Sequence, residues 1–118
     1  MTELLKRLQD YGIDLERTMA RFVGDEQLYD TCLYSFFAGD DLNTLRDALR
    51  AGDYRAAFER AHSLKGVSGN LGLDPLYKKV CALVEPLRRG EYDNLDALYR
   101  DIESEMDHLR RLLPPAPQ

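Results

Sequence analysis

Apolar residues recur at helical spacing along almost the whole chain, and no stretch shows the alternation of apolar and polar residues that is typical of a strand. Thr2 is placed to cap a first short helix that ends at Tyr11, and Asp14 to cap a second that ends at Phe22. The pattern predicts an all-α protein that begins with two short helices.

The segment from Glu26 to Arg50 keeps helical spacing, but its apolar face changes direction near Gly39. The apolar residues before and after this change are Leu33, Phe36 and Phe37, then Leu42, Leu45 and Leu49. Either the helix bends at Gly39 or its two halves pack against different neighbours, and the pattern leaves both interpretations open.

Three further helices complete the pattern. Asp53 caps the first of them, and Asp74, followed by Pro75 in the first turn, caps the second. Pro86 lies inside the second helix and is expected to bend or fray its last turn. The third helix extends from about Asp93 to Leu113.

Amphipathic helices joined by short turns predict an antiparallel four-helix bundle with additional short N-terminal helices. At 118 residues, the chain is long enough to bury one core without disulfides. No internal repeat or linker interrupts the pattern. We therefore expect a single domain over residues 1–118, with a Pro-rich tail at residues 113–118.

One predicted helix carries an unusual stretch, AHSLKGVSGNLG, which spans residues 61–72 and contains a histidine, a lysine and three glycines. A helical wheel places the small and apolar residues of this helix on one side; they are Ala57, Ala61, Leu64, Ser68 and Leu71. On the other side lie His62, Arg55, Phe58, Lys65, Gly66 and Gly69. The wheel predicts that the histidine faces solvent near the middle of a long helix.

The glycines on the side of His62 require an explanation, because glycine inside a helix lowers the stability of the helix by about 1 kcal/mol relative to alanine. Helical side chains lean towards the N-terminus, so larger residues four and seven positions after His62 would crowd its ring. Gly66 and Gly69 are expected to clear this space, and Gly69→Ala to stabilise the helix with little effect on function. Lys65 places an ammonium group near anything negative on the ring, while Phe58 offers apolar surface for docking. This side of the helix suits a histidine that a macromolecule approaches and that carries a phosphoryl group.

The same stretch resembles the signature of histidine phosphotransfer (Hpt) domains, in which lysine stands three places after the histidine and a small residue follows. The segments GIDLERTMARFVGDEQLYDTCLYSFF and VCALVEPLRRGEYD resemble the flanking helices of this family. The resemblance implies a helical bundle whose exposed histidine exchanges a phosphoryl group with aspartates of receiver domains in a multistep phosphorelay. It makes His62 the phosphorylated residue, Lys65 the residue that offsets phosphoryl charge and Gly66 the small neighbour that gives access.

One feature of the family is missing. Many members present a glutamine from the following helix near the imidazole, but residues 75–89 contain no glutamine. The resemblance therefore leaves the residue that orients the ring of His62 unassigned.

The chain has no glycine-rich loop of the Walker or kinase type and no obvious acidic cluster beside His62. We therefore expect a phosphocarrier that has no kinase activity of its own, holds no metal and binds no cofactor. The resemblance implies response-regulator receiver domains as partners, which are expected to supply Mg²⁺, and a hybrid sensor histidine kinase as a further candidate partner.

Three alternatives stay open at this point. The first is the phosphotransfer domain of a chemotaxis-type histidine kinase, which has the same bundle but receives phosphate from its own kinase domain. The dimerisation helix of a sensor kinase is the second, although it predicts a proline soon after the histidine, where Ser68 and Gly69 stand. The third is a non-signalling helical interaction module or a metal-binding bundle, although metal sites need several converging ligands and His62 stands alone.

The distribution of charge along the chain indicates which kind of partner the protein binds. The net charge of −5 argues against nucleic acid, but residues 55–89 carry seven basic and three acidic residues. This region therefore has a net charge of +4 and the remainder −9, which favours an acidic protein or a phosphate as the ligand.

Cysteine content and hydropathy indicate the compartment. Cys32 and Cys81 lie in apolar helical patterns without metal or disulfide spacing, so we expect buried, reduced thiols. No apolar run approaches the roughly 18 residues of a membrane span, so no direct membrane insertion is expected. We expect a cytoplasmic monomer. His108, which has no glycines around it, is interpreted as an ordinary surface histidine.

Overall fold

A computed structural model of the chain describes residues 2–114, and within them it contains seven α-helices and no strand. The helices are α1 (Glu3–Tyr11), α2 (Leu15–Arg21), α3 (Glu26–Ala38), α4 (Asp41–Arg50), α5 (Tyr54–Asn70), α6 (Asp74–Arg89) and α7 (Leu95–Leu112). The prediction of an all-α fold is confirmed. No helix in this part of the chain is both long and apolar enough to cross a membrane. Of the predicted Pro-rich tail, residues 115–118 lie outside the described residues.

Three helices begin at the capping residues that the sequence predicts. The side-chain oxygens of Thr2, Asp14 and Asp53 each accept a hydrogen bond from the backbone N–H three residues later, at 3.1 to 3.2 Å. Asp74 differs from the prediction, because it is the first residue of α6 and no side-chain hydrogen bond caps that helix. Pro75 in the first turn reduces the need for a cap, since it has no N–H to satisfy.

The segment from Glu26 to Arg50 forms two separate helices, α3 and α4. Gly39 has extended backbone angles, with φ of −75° and ψ of 169°, so the helix is interrupted there rather than bent. The two halves also have different neighbours. Helix α4 packs against α5 and α7, whereas Tyr29 and Tyr34 of α3 donate hydrogen bonds to carbonyl oxygens just beyond the ends of those two helices.

The bundle consists of four helices, because α4 and α6 each pack against both α5 and α7. Short turns join these four helices along the chain, and each consecutive pair among them packs together. The predicted core stripe of α5 is confirmed, since each of its residues is at most 2% exposed; they are Ala57, Ala61, Leu64, Ser68 and Leu71. Ser68, the polar member, donates a hydrogen bond to the carbonyl oxygen of Leu64 at 2.8 Å.

Pro86 does not fray the last turn of α6. The helix continues to Arg89 and ends at Gly90, which has a left-handed φ of 73°. Because glycine has no Cβ, it adopts this conformation without strain, and its N–H bonds to the carbonyl oxygens of Pro86 and Leu87. Helix α6 therefore keeps its full 16 residues, and it packs against α5.

Candidate functional site

His62 lies near the middle of the 17-residue helix α5, on the side that faces away from the core, and it is exposed as the helical wheel predicts. Within residues 2–114, no group forms a hydrogen bond with its imidazole. In the same part of the chain, no three His, Cys, Asp or Glu side chains lie together as metal ligands would. The imidazole is therefore free to meet a partner.

The two glycines near His62 have different surroundings. At Gly66 an added Cβ would meet no atom within 4 Å, so this position is open. At Gly69 an added Cβ would lie 3.1 Å from Cε2 and 3.2 Å from Cδ2 of Tyr77. Gly66 thus fits the predicted access role, whereas Gly69 also lets the Tyr77 ring of α6 pack closely against α5. The gain in stability expected for Gly69→Ala is smaller than predicted, because the ring must move by a few tenths of an ångström to admit the methyl group.

A concavity of about 370 Å³ lies beside His62, between α5, α6 and the end of α2. Its lining residues are Arg21, His62, Lys65, Gly66, Gly69, Asn70 and Tyr77. The structure therefore brings together four of the residues that the sequence singled out. It adds Arg21 and Tyr77, which the sequence analysis missed.

Arg21 is the last residue of α2 and reaches the end of α5, where its Nη1 donates a hydrogen bond to the carbonyl oxygen of Asn70 at 3.0 Å. Carbonyl groups at a helix C-terminus lack partners within the helix and attract cations, which holds the guanidinium in place. The concavity therefore contains cations from two helices, Arg21 and Lys65. No local spacing could have indicated Arg21, because it stands 41 residues before His62.

Tyr77 is the residue that α6 presents to the concavity. The neighbouring Cys81 raises the pKa of the Tyr77 phenol, with smaller contributions in the same direction from burial and from Asp74. Tyr77 therefore adds no charge to the concavity at neutral pH. Both Cys81 and Cys32 are free thiols, as the sequence predicts, but each is partly exposed rather than buried, because it lies at the edge of the apolar face of its helix.

Phe58 stands one turn before His62, and its ring lies beside the imidazole, with centroids 5.8 Å apart and planes inclined by 19°. The ring is half-buried and packs against the core. From α6, Arg88 places its guanidinium carbon 5.6 Å from the Phe58 centroid. Arg55 does not line the concavity: its side chain is 92% exposed, and its Nε lies 3.6 Å from Oε1 of Glu59.

Comparison with known proteins identifies the family. Residues 33–112 match the family model of the Hpt domain. The comparison with curated proteins gave no match, and neither did the comparison with solved structures. Because the matched residues make up more than half of the chain, the chain belongs to the Hpt domain family. Domains of this family carry out histidine phosphotransfer in phosphorelays. Helices α1 and α2, and Arg21 with them, precede the matched residues.

Proposed function

We propose that His62 accepts a phosphoryl group from an aspartate of one receiver domain and passes it to an aspartate of another. The proposal rests on the surroundings of His62. Its imidazole is exposed in mid-helix, lies beside open space at Gly66, and borders a concavity that also holds Lys65. These surroundings supply a nucleophile, room for a macromolecule and a cation for the transferred group.

The transfer requires a neutral imidazole and a balanced exchange of bonds. A neutral imidazole carries a proton on one ring nitrogen and a free lone pair on the other. That lone pair forms the N–P bond while the P–O bond to the aspartyl carboxylate breaks, and the carboxylate leaves with the bonding electrons. The ring then carries a positive charge until its other nitrogen releases a proton to water. Transfer to the second aspartate reverses these steps.

The cations of the concavity are suited to the charge of the phosphoryl group. Phosphoryl transfer depends mainly on positioning and on neutralisation of charge. We assign the neutralising role to Lys65 and a supporting role to Arg21, which lines the same concavity. The receiver domain is proposed to supply Mg²⁺ and the remaining catalytic groups, so that this chain acts as a carrier without kinase activity.

The partners proposed are response-regulator receiver domains, with a hybrid sensor histidine kinase as a source of the phosphoryl group. The net charge of +4 over residues 55–89, which include α5 and α6, supports partners that present acidic sites. We further propose that the chain acts as a monomer and as a single domain over residues 1–118. The cytoplasm is the compartment proposed, because it suits the two free thiols.

The proposal is tested by incubating the purified chain with a panel of receiver domains charged by labelled acetyl phosphate, and separately with labelled ATP. We expect label to move from a receiver domain to His62 and none to be acquired from ATP alone. Peptide mapping locates the label, and its stability in alkali and loss in acid identify a phosphohistidine. Labelling at another residue, or autophosphorylation with ATP alone, would contradict the proposal.

A further inference from the structure

Two contacts link three side chains at the site. Arg88 of α6 lies over the ring of Phe58, and the ring of Phe58 lies beside the ring of His62. The rings of Phe58 and His62 have centroids 5.8 Å apart and planes inclined by 19°, which is within the range of offset-stacked pairs. The guanidinium carbon of Arg88 lies 5.6 Å from the Phe58 centroid, which is within the range of a cation–π contact. Helical geometry favours the contact between the rings, because the side chain of residue i leans towards residue i−4.

Phe58 is restrained from both helices. On α5 its ring is half-buried against the core, which limits its movement. On α6, Arg88 is itself close to Glu85, with 3.6 Å between Nε and Oε1. The ring of Phe58 therefore offers the imidazole a fixed apolar surface.

The imidazole has no polar restraint within the described part of the chain, since no residue there forms a hydrogen bond with it and residues 75–89 contain no glutamine. A stacking contact covers a face of the imidazole and leaves its edge, where both nitrogens lie, free to react. An added Cβ at Gly66 would meet no atom within 4 Å, so approach to the ring is open there. Phe58 can thus orient the ring without occupying a nitrogen.

We propose that Phe58 is a positioning residue, which restricts rotation of the His62 side chain so that a ring nitrogen is presented to the phosphorus of a phosphoaspartate, and that Arg88 supports Phe58. This assignment rests on the proposed function of His62. It differs from the docking role that the sequence predicts for Phe58. A docking residue acts on binding of the receiver domain, whereas a positioning residue acts on the rate of transfer after binding.

The substitution Phe58→Leu separates the two roles, since leucine keeps apolar surface and helical backbone but removes the ring. We expect transfer at saturating phosphorylated receiver domain to slow about tenfold, because small misplacements of a nucleophile are costly. The receiver concentration that gives the half-maximal rate should change by less than about twofold. Phe58→Tyr retains the ring and should transfer within about twofold of the unmodified rate. Arg88→Gln should cause a smaller loss in the same direction.

Phe37→Leu is the matched control. Phe37 is also partly buried and also has an arginine near its ring, with Cζ of Arg110 6.0 Å from the ring centroid, but it belongs to α3. Transfer by this variant should be unchanged. Thermal unfolding shows whether each variant is folded at the assay temperature. If Phe58→Leu does not fold, Arg88→Gln decides the question with the same readouts, because the Arg88 side chain is half exposed.

Orientation of the ring is measured directly by the NMR resonances of the His62 ring protons. The ring current of a stacked Phe58 shifts them upfield, so Phe58→Leu should move them downfield and Phe58→Tyr should not. A higher half-saturating receiver concentration with an unchanged saturated rate would assign Phe58 to docking and overturn the proposal. Unchanged transfer would do the same.

A small phosphodonor, potassium phosphoramidate, phosphorylates imidazole without a receiver domain. Its use allows failure of the positioning role to be distinguished from failure of the proposed function. If neither donor labels His62 in the unmodified chain, the proposed function fails and the positioning role fails with it. If His62 is labelled and Phe58→Leu accepts phosphoryl groups from the receiver domain at the original rate, only the positioning role fails.

Discussion

His62 and His108 are both exposed residues on long helices, and each has an aromatic ring with its centroid 5.8 Å away. The ring beside His62 is Phe58, inclined by 19°, and the ring beside His108 is Tyr11, inclined by 38°. By exposure and by aromatic contact alone, the two regions resemble each other. The difference lies in the charges near each imidazole and in the glycines that stand beside His62.

The charges near the two histidines are arranged differently. His62 shares its concavity with Lys65 and Arg21. His108 follows Asp107, whose Oδ1 lies 3.6 Å from Nη1 of Arg110, and stands one turn after Glu105, whose Oε1 lies 3.1 Å from Nζ of Lys79. Burial, followed by the Glu105 carboxylate, raises the pKa of the neighbouring Tyr11 phenol. The cations near His108 therefore lie beside carboxylates, whereas no carboxylate of the described residues lines the concavity that His62 shares with Lys65 and Arg21. Exposure and an aromatic contact are thus common to both histidines, and the cations of the concavity and the open space at Gly66 set His62 apart.

The largest effect is expected from removing the histidines one at a time. His62→Gln removes the proposed nucleophile and should abolish acceptance of label from a phosphorylated receiver domain. His108→Gln is the matched control and should accept label at the unmodified rate. Phosphotransfer assays on both variants make the comparison. Acceptance by His62→Gln, or loss of acceptance by His108→Gln, would break the distinction between the two regions.

Filling the space beside His62 should have the next largest effect. Gly66→Leu places a branched side chain that leans over the imidazole, so transfer should slow about tenfold or more. Loss of a helical glycine should at the same time stabilise the fold by up to about 1 kcal/mol. Thermal melts and transfer rates are measured on the same samples. Transfer at the unmodified rate would refute the access role, and unfolding would show that Gly66 serves packing.

The smallest effect is expected on the free energy of unfolding when Gly66 or Gly69 is replaced by alanine. Gly66→Ala should raise the free energy of unfolding by up to about 1 kcal/mol, since the added methyl group meets open space. Gly69→Ala should gain less, because its Cβ would lie 3.1 Å from Cε2 of Tyr77. Urea denaturation measures both values, and transfer should change little in either variant. Equal gains would show that the Tyr77 ring yields without cost.

Much of α5 could be predicted from the sequence, because helical periodicity is a local property. The spacing of small and apolar residues is sufficient to place the buried stripe, and it leaves His62 on the exposed side. The separation of α3 from α4 could not be predicted in the same way. A change of apolar face at Gly39 is compatible with a bend or a break, and contacts with distant helices decide between them.

The parts of the site that other helices supply were beyond prediction from spacing. Arg21 reaches the concavity because α2 lies against the end of α5, and Tyr77 meets Gly69 because α5 and α6 pack together. Arg55 shows the opposite case. The helical wheel places it on the side of His62, but a wheel ignores position along the axis: Arg55 stands roughly 10 Å before His62, whereas the residues of α5 that line the concavity extend from His62 towards Asn70.

The first and last helices of the described chain are joined in space. Nη1 of Arg7 in α1 donates a hydrogen bond to the carbonyl oxygen of Leu112 in α7 at 2.8 Å, across 105 positions of sequence. Helices that adjoin in this way can be connected by a short linker, and new chain ends can be opened in the exposed turn at residues 90–94. Such a circular permutant would begin with α7 and end with α6, yet the helices around His62 would keep their neighbours. The site depends on the contacts between helices and does not depend on the order of the helices along the chain.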